Sequence, residues 1–156
     1  MQETLDKLTG TLSPLVLSVL RVVTALLFFA HGTQKLFGFP EAQFRPDLFT
    51  LPWIAGVLEI IVGGLVLIGF KTRISAFLMS GMMAIGYWLI HAPRSPYPAV
   101  NGGDAAILFC FVFLYIAFAG PGPISIDAVL KSLKGSPKTE ASKPAEASAE
   151  GEPAAS

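Results

Sequence analysis

Pro14–Phe37 reads PLVLSVLRVVTALLFFAHGTQKLF. A helix needs about 20 apolar residues to cross a bilayer, and this run is long enough. It nevertheless carries Arg21, and it closes on the polar cluster His31-Gly32-Thr33-Gln34-Lys35. An ionised side chain near a bilayer centre costs roughly 2.5–3.5 kcal/mol on insertion scales, so an arginine kept there is paired or put to use. Pro14 suits a first helical turn, where its missing N–H does no harm, so the span is expected to begin there. Residues 1–13 then form a cytoplasmic segment with Leu5, Leu8 and Leu12 as a weak apolar face. Glu3 and Asp6 against Lys7 give that segment the wrong sign for a signal peptide.

Three further apolar runs follow. One extends over residues 51–70, with Pro52 at its start, Gly69 at its end and Glu59 inside it. Another covers 74–90, and the last covers 104–119 and stops at Gly120-Pro121-Gly122-Pro123, a helix breaker. Lipid offers no partner to open backbone groups, so each run is a helix or part of a closed barrel. The runs are too uniformly apolar for the alternation of a barrel. Hydrophobic residues make up 53% of the chain and charged ones 14%, against about 25% in an average soluble domain, which excludes an ordinary soluble fold. Zero net charge leaves no global basic field for nucleic acid. The single cysteine, Cys110, cannot close an internal disulfide and reads as a packing residue.

The expectation is therefore an all-α, polytopic four-helix membrane bundle in a lipid bilayer. Lys71-Thr72-Arg73 is short enough to force an antiparallel hairpin between the second and third spans. An even number of spans puts both termini on one side, and the excess of Lys and Arg there places them in the cytoplasm. Residues 121–135 read as an interfacial amphipathic helix, with Ile126, Val129, Leu130 and Leu133 on one face. Residues 136–156 lack aromatics and read as a disordered tail.

At about 1.5 Å per residue, Arg21 and Glu59 come to neighbouring depths, and they are expected to face each other inside the bundle. This pair is either a bolt that fixes register or a proton-linked or ligand-binding group. His31, Gln34 and Lys35, Tyr87 and His91, and Asn101 and Asp104 all collect at the outer ends of their spans. Together they suggest a polar intramembrane pocket opening outward over Arg21 and Glu59. Gly32, Gly102 and Gly103 read as turn positions, and Ser125 and Asp127 as caps of the amphipathic helix. The two histidines have no metal-ligand spacing, so no metal is expected. Trp53 and Trp88, near span ends, suit the membrane interface.

These residues resemble the DoxX family of small four-helix membrane proteins. The resemblance lies in Arg21 with Leu26-Leu27-Phe28-Phe29-Ala30-His31-Gly32-Thr33-Gln34-Lys35-Leu36-Phe37-Gly38, and in Glu59 with Gly63-Gly64. It continues through Gly69-Phe70-Lys71-Thr72-Arg73, Asn101-Gly102-Gly103-Asp104, and Gly120-Pro121-Gly122-Pro123 leading to Ser125 and Asp127. It covers about Leu15 to Leu130. The family is tied to terminal quinol oxidase, to thiosulfate–quinone electron transfer and to membrane complexes handling redox stress. The resemblance thus implies quinone as the cofactor and a redox enzyme as partner; a second copy is expected as partner where four short helices are to wall a pore. It marks Arg21, His31, Gly32, Gln34, Lys35, Glu59, Asn101, Gly102, Gly103 and Asp127 without giving them catalytic roles. With no visible haem, copper or flavin motif, the implied role is an accessory, non-catalytic subunit of a redox system in a bacterial inner membrane. A small-solute or proton-linked permease and an assembly scaffold are the alternatives.

Overall fold

A computed structural model describes residues 2–41 and 45–135, so the tail expected after Gly135 lies outside the described residues. Helix α1 covers Gln2–Phe37, α2 Leu51–Ile68, α3 Thr72–Gly86, α4 Pro98–Asn101, α5 Asp104–Ala119 and α6 Ile126–Gly135. No strand occurs among the described residues. The fold is a helical membrane bundle. Helix α1, helix α2 and the segment Thr72–Arg94 are long and apolar enough to cross a membrane. Helix α5, of 16 residues, is as apolar but shorter. Its length of about 24 Å falls short of the roughly 30 Å hydrocarbon core.

Pro14 does not open the first helix; it lies inside a helix of 36 residues. The proline leaves the Gly10 carbonyl without its N–H, but both residues are exposed, so water can take that place. Residues 2–13 therefore continue α1 by about 18 Å instead of forming a separate segment. Thr9, Thr11 and Ser13 each return their hydroxyl to the carbonyl one turn back, at 2.9, 3.0 and 2.6 Å.

Helix α2 ends on Gly69 at φ 70°, a left-handed position that suits glycine. The N–H groups of Gly69 and Phe70 close the last turn on Val66 and Leu65 carbonyls. The chain then reverses into α3 within three residues. Helix α3 gives way to a π-helical turn over Tyr87–His91 and a 3-10 turn over Ala92–Arg94, where Pro93 precludes further α-helix.

Helix α1 packs on α2 and α3 on α5, and the α2–α3 hairpin joins the two pairs. Phe28, Phe113, Met79, Val66 and Ile116 fill the centre. Phe28 meets Phe113 and Phe109 edge-on at centroid distances of 5.0 and 5.3 Å. Around this core the pattern of a soluble protein is inverted. Arg21, Glu59, Ser18, Thr72 and Ser75 are buried, whereas Val19, Leu27, Ile61, Phe77 and Phe111 are exposed. That suits a lipid solvent, in which helices associate by close packing and polar contacts. Helices α1 and α2 approach closely at Gly32. A Cβ there would lie 2.9 Å from the Gly56 carbonyl oxygen and 3.0 Å from Glu59 Cβ, so α1 and α2 touch backbone to backbone.

Candidate functional site

This register decides where the polar groups meet. Gly32 sits against Gly56 and Glu59, while Gly69 comes close to the Arg21 guanidinium. Eleven residues of α1 separate Arg21 from Gly32, about 16 Å along the axis. Arg21 and Glu59 therefore do not pair. The sequence-based depth estimate began the span at Pro14, whereas the packed bundle begins near Ser18, which is where the burial of α1 starts. Arg21 is thus at one end of the bundle, and it does not underlie a pocket at the other.

At the Arg21 end, the guanidinium works as a cap. Nε donates to the Pro121 carbonyl at 2.8 Å and Nη1 to Val66 at 2.6 Å, with further bonds to Leu67 and Ile124. One planar group so holds the last carbonyls of α2 and the turn after α5. Ser18 Oγ accepts from the Ile124 N–H at 3.2 Å. Asp127 accepts from the Lys71 and Thr72 N–H groups at 2.9 Å each, capping the start of α3 from α6. Ser125 Oγ accepts from the Ala128 N–H at 3.1 Å and donates to the Gly122 carbonyl. Arg73 donates to the Ala117 and Phe118 carbonyls at the end of α5. Sequence reasoning placed Arg73 in the tight turn without giving its side chain a role, and passed over Ser18. The available signal for Arg73 was a cation in a tight hairpin beside a neighbouring helix that ends at Gly120.

Asp127 lies outside the spans. Burial works against its charge, yet the Thr72 and Lys71 N–H groups, with the Arg21 charge nearby, hold its carboxyl below the usual carboxylate range. A lowered folded-state value means that its contribution is complete above the unfolded value, about 3.9, and is lost as pH falls through the folded one. Asp127→Asn is therefore expected to unfold earlier than wild type at pH 7, with the gap closing towards pH 3. Denaturant titrations in mild detergent at the two pH values check this; a gap of equal size at both would contradict it.

At the opposite end, Glu59 is 1% exposed and pairs with Lys35, one turn beyond Gly32. Only one carboxylate oxygen is engaged; Oε2 is buried and has no hydrogen-bond partner. Lys35 keeps 30% of its side chain exposed, so the pair is reached from the lysine side. His31 is exposed on α1, with Nδ1 against the Leu27 carbonyl at 2.8 Å and its ring edge-on to Phe109. Gln34 instead donates to the Glu41 carbonyl at 3.1 Å, in the loop.

The remaining candidates form a separate knot between α3 and α5. Asn101 is 3% exposed; its Nδ2 donates to the Ser95 carbonyl at 2.8 Å, and its Oδ1 accepts from the Gly103 N–H at 2.7 Å. His91 Nδ1 lies 3.1 Å from the Asn101 carbonyl oxygen, and Tyr87 stacks on the His91 ring. Gly103 is packed against the Tyr87 ring, where a Cβ would come within 2.5 Å. Gly102, at φ 71°, closes the turn, and Asp104 is exposed at the start of α5. Among the described residues no hydrogen bond links this knot to Lys35 or Glu59. The structure thus divides the nine pocket candidates: Lys35 pairs with Glu59; Tyr87, His91 and Asn101 share the knot; and Arg21, His31, Gln34 and Asp104 join neither.

The DoxX family matches residues 16–92. An uncharacterized protein of Haemophilus influenzae is 36% identical over 124 residues, 73% of this chain and 90% of that relative. The inner membrane protein YphA of Escherichia coli is 28% identical over 130 residues, 76% of this chain and 92% of its own. The inner membrane protein YqjF of the same organism is 28% identical over 124 residues, 72% of this chain and 89% of its own. No solved structure matches significantly. On this match and this identity over most of its length, the chain belongs to the DoxX family of membrane proteins.

Proposed function

We propose that this chain is an accessory subunit of a quinone-linked redox system in a bacterial inner membrane, and that Lys35 and Glu59 form the place where it meets a quinone headgroup. The observation that carries the reading is Glu59 Oε2, a buried carboxylate oxygen without a partner beside a half-accessible ammonium. The other fully buried charged group, Arg21, is engaged with backbone carbonyls. The donor set fits: an ammonium donates to a carbonyl oxygen, and a carboxylate accepts from a hydroxyl, the two faces of the quinone–quinol couple. The family resemblance supports the redox setting, and the E. coli relatives, by their printed names, support the inner membrane. Lys71, Arg73, Lys131 and Lys134 lie at the Arg21 end, against Lys35, Arg45 and Arg94 at the other, which supports cytoplasmic termini.

The test is the quinone content of native lipid particles, extracted with an amphipathic polymer and measured by chromatography. Wild type is expected to carry quinone above the ratio found in the bulk membrane. The double variant Lys35→Met/Glu59→Leu should fall to the bulk ratio. Wild-type particles holding no more quinone than bulk membrane would sink the reading.

A further inference from the structure

A cleft of about 640 Å³ opens at the Arg21 end, between the start of α3, the turn after α5 and the first turns of α6. That volume lies within the range of about 300–1,000 Å³ typical of small-molecule sites. Lys71, Arg73 and Lys131 line it, with Asp127 as the one carboxylate. Both Asp127 oxygens already accept from the Lys71 and Thr72 N–H groups. Among the described residues, no carboxylate lies within ion-pair distance of Lys71, Arg73 or Lys131; the ion pairs present are Lys7–Glu3 and Lys35–Glu59. The Lys71 and Lys131 ammonium groups are exposed, and Lys71 Nζ stands 6.0 Å from the Phe70 ring centroid. The cleft therefore carries a net positive charge that the protein leaves uncompensated.

Its position adds a second requirement. Ile74, on the wall of the cleft, is 65% exposed and begins the apolar outer face of α3. Helix α6 also exposes Val129 and Leu133. A ligand seated here meets cations at one level and an apolar surface at the next. Basic pockets between helices at the membrane surface suit acidic lipid headgroups.

We propose that this cleft binds the phosphate headgroup of an anionic phospholipid, with Lys71 and Lys131 on the phosphate and the acyl chains against the face that begins at Ile74. The lipid anchors the α3–α6 junction at the bilayer surface, a role independent of the Lys35–Glu59 site.

The experiment uses the full chain, delipidated in a mild detergent and titrated with phosphatidylglycerol or phosphatidylcholine, with retained lipid counted by native mass spectrometry. Wild type is expected to retain phosphatidylglycerol preferentially. Lys71→Gln/Lys131→Gln is expected to lose roughly 30-fold in that retention, the share of two lysines near an acidic headgroup. Lys7→Gln/Arg94→Gln, with the same change in charge away from the cleft, should leave it unaltered. A parallel arm adds inorganic phosphate at millimolar concentration. If phosphate displaces the lipid completely, the cleft is a free-phosphate site and the lipid assignment is overturned. Equal retention of the two lipids by wild type overturns it as well, whatever the variants do. So does a Lys71/Lys131 variant that keeps its helicity and its lipid.

Discussion

Arg21→Met is expected to destabilise the bundle strongly. Its guanidinium donates to four carbonyls, those of Val66, Leu67, Pro121 and Ile124. Val66 keeps the Gly69 N–H, so the carbonyls of Leu67, Pro121 and Ile124 lose their donor; at roughly 1 kcal/mol for each, the loss comes to about 3 kcal/mol. The cost concentrates where α1, α2 and the turn before α6 converge, so that turn should loosen first. Arg21→Lys keeps the charge but replaces a planar fork by a point donor, and should recover less than half of the loss. Unfolding by sodium dodecyl sulfate in mixed micelles, followed by helical circular dichroism, measures both. An Arg21→Met variant that unfolds at the wild-type detergent fraction would show that the carbonyls find other partners.

The second large effect is an asymmetry between two partners. Lys35→Met leaves the Glu59 carboxylate buried and alone, which costs about 3–5 kcal/mol when one member of a buried pair is removed. Glu59→Leu leaves only Lys35, whose side chain is 30% exposed and can turn its ammonium to the interface. That variant should lose about 1 kcal/mol or less, in line with an exposed ion pair. The double variant Lys35→Met/Glu59→Leu should lie close to wild type. The same micelle titration, run as a double-mutant cycle, gives the coupling. Equal losses for the two single variants would show that the carboxylate is not sealed in as the structure has it. The fate of the double variant also bears on the quinone test, which needs it folded.

These two residues show what a sequence conceals. Arg21 and Glu59 were both legible as expensive residues inside apolar runs, because insertion cost depends on residue type and run length alone. Their partners were not legible. Assigning Pro14 as a helix start shifted the estimated depth of Arg21 towards the bilayer centre, and the shift made Glu59 seem its natural neighbour. In the structure α1 begins at Gln2, and contact between Gly32 and Gly56 sets the register. Lys35 then reaches Glu59, while Arg21 reaches carbonyls that belong to a turn about a hundred residues away in sequence. Nothing in the spacing within α1 contains that turn.

The candidate pocket divides for the same reason. Tyr87, His91 and Asn101 share a membrane level with Lys35, which hydropathy reveals, but they lie on the α3–α5 pair and not on the α1–α2 pair. Level is a property of position along each helix; adjacency depends on which helices pack. Sequence by itself determined the helical class, the membrane setting, the break at Gly120 and the family, because each follows from local composition, turn chemistry or motif. Only the tertiary structure decided that Glu59 belongs to Lys35, that Arg21 and Arg73 cap helix ends, and that Lys71 and Lys131 share a cleft. Those outcomes depend on interhelical register and on loops folding back, and long flexible side chains take whichever acceptors that packing brings within reach.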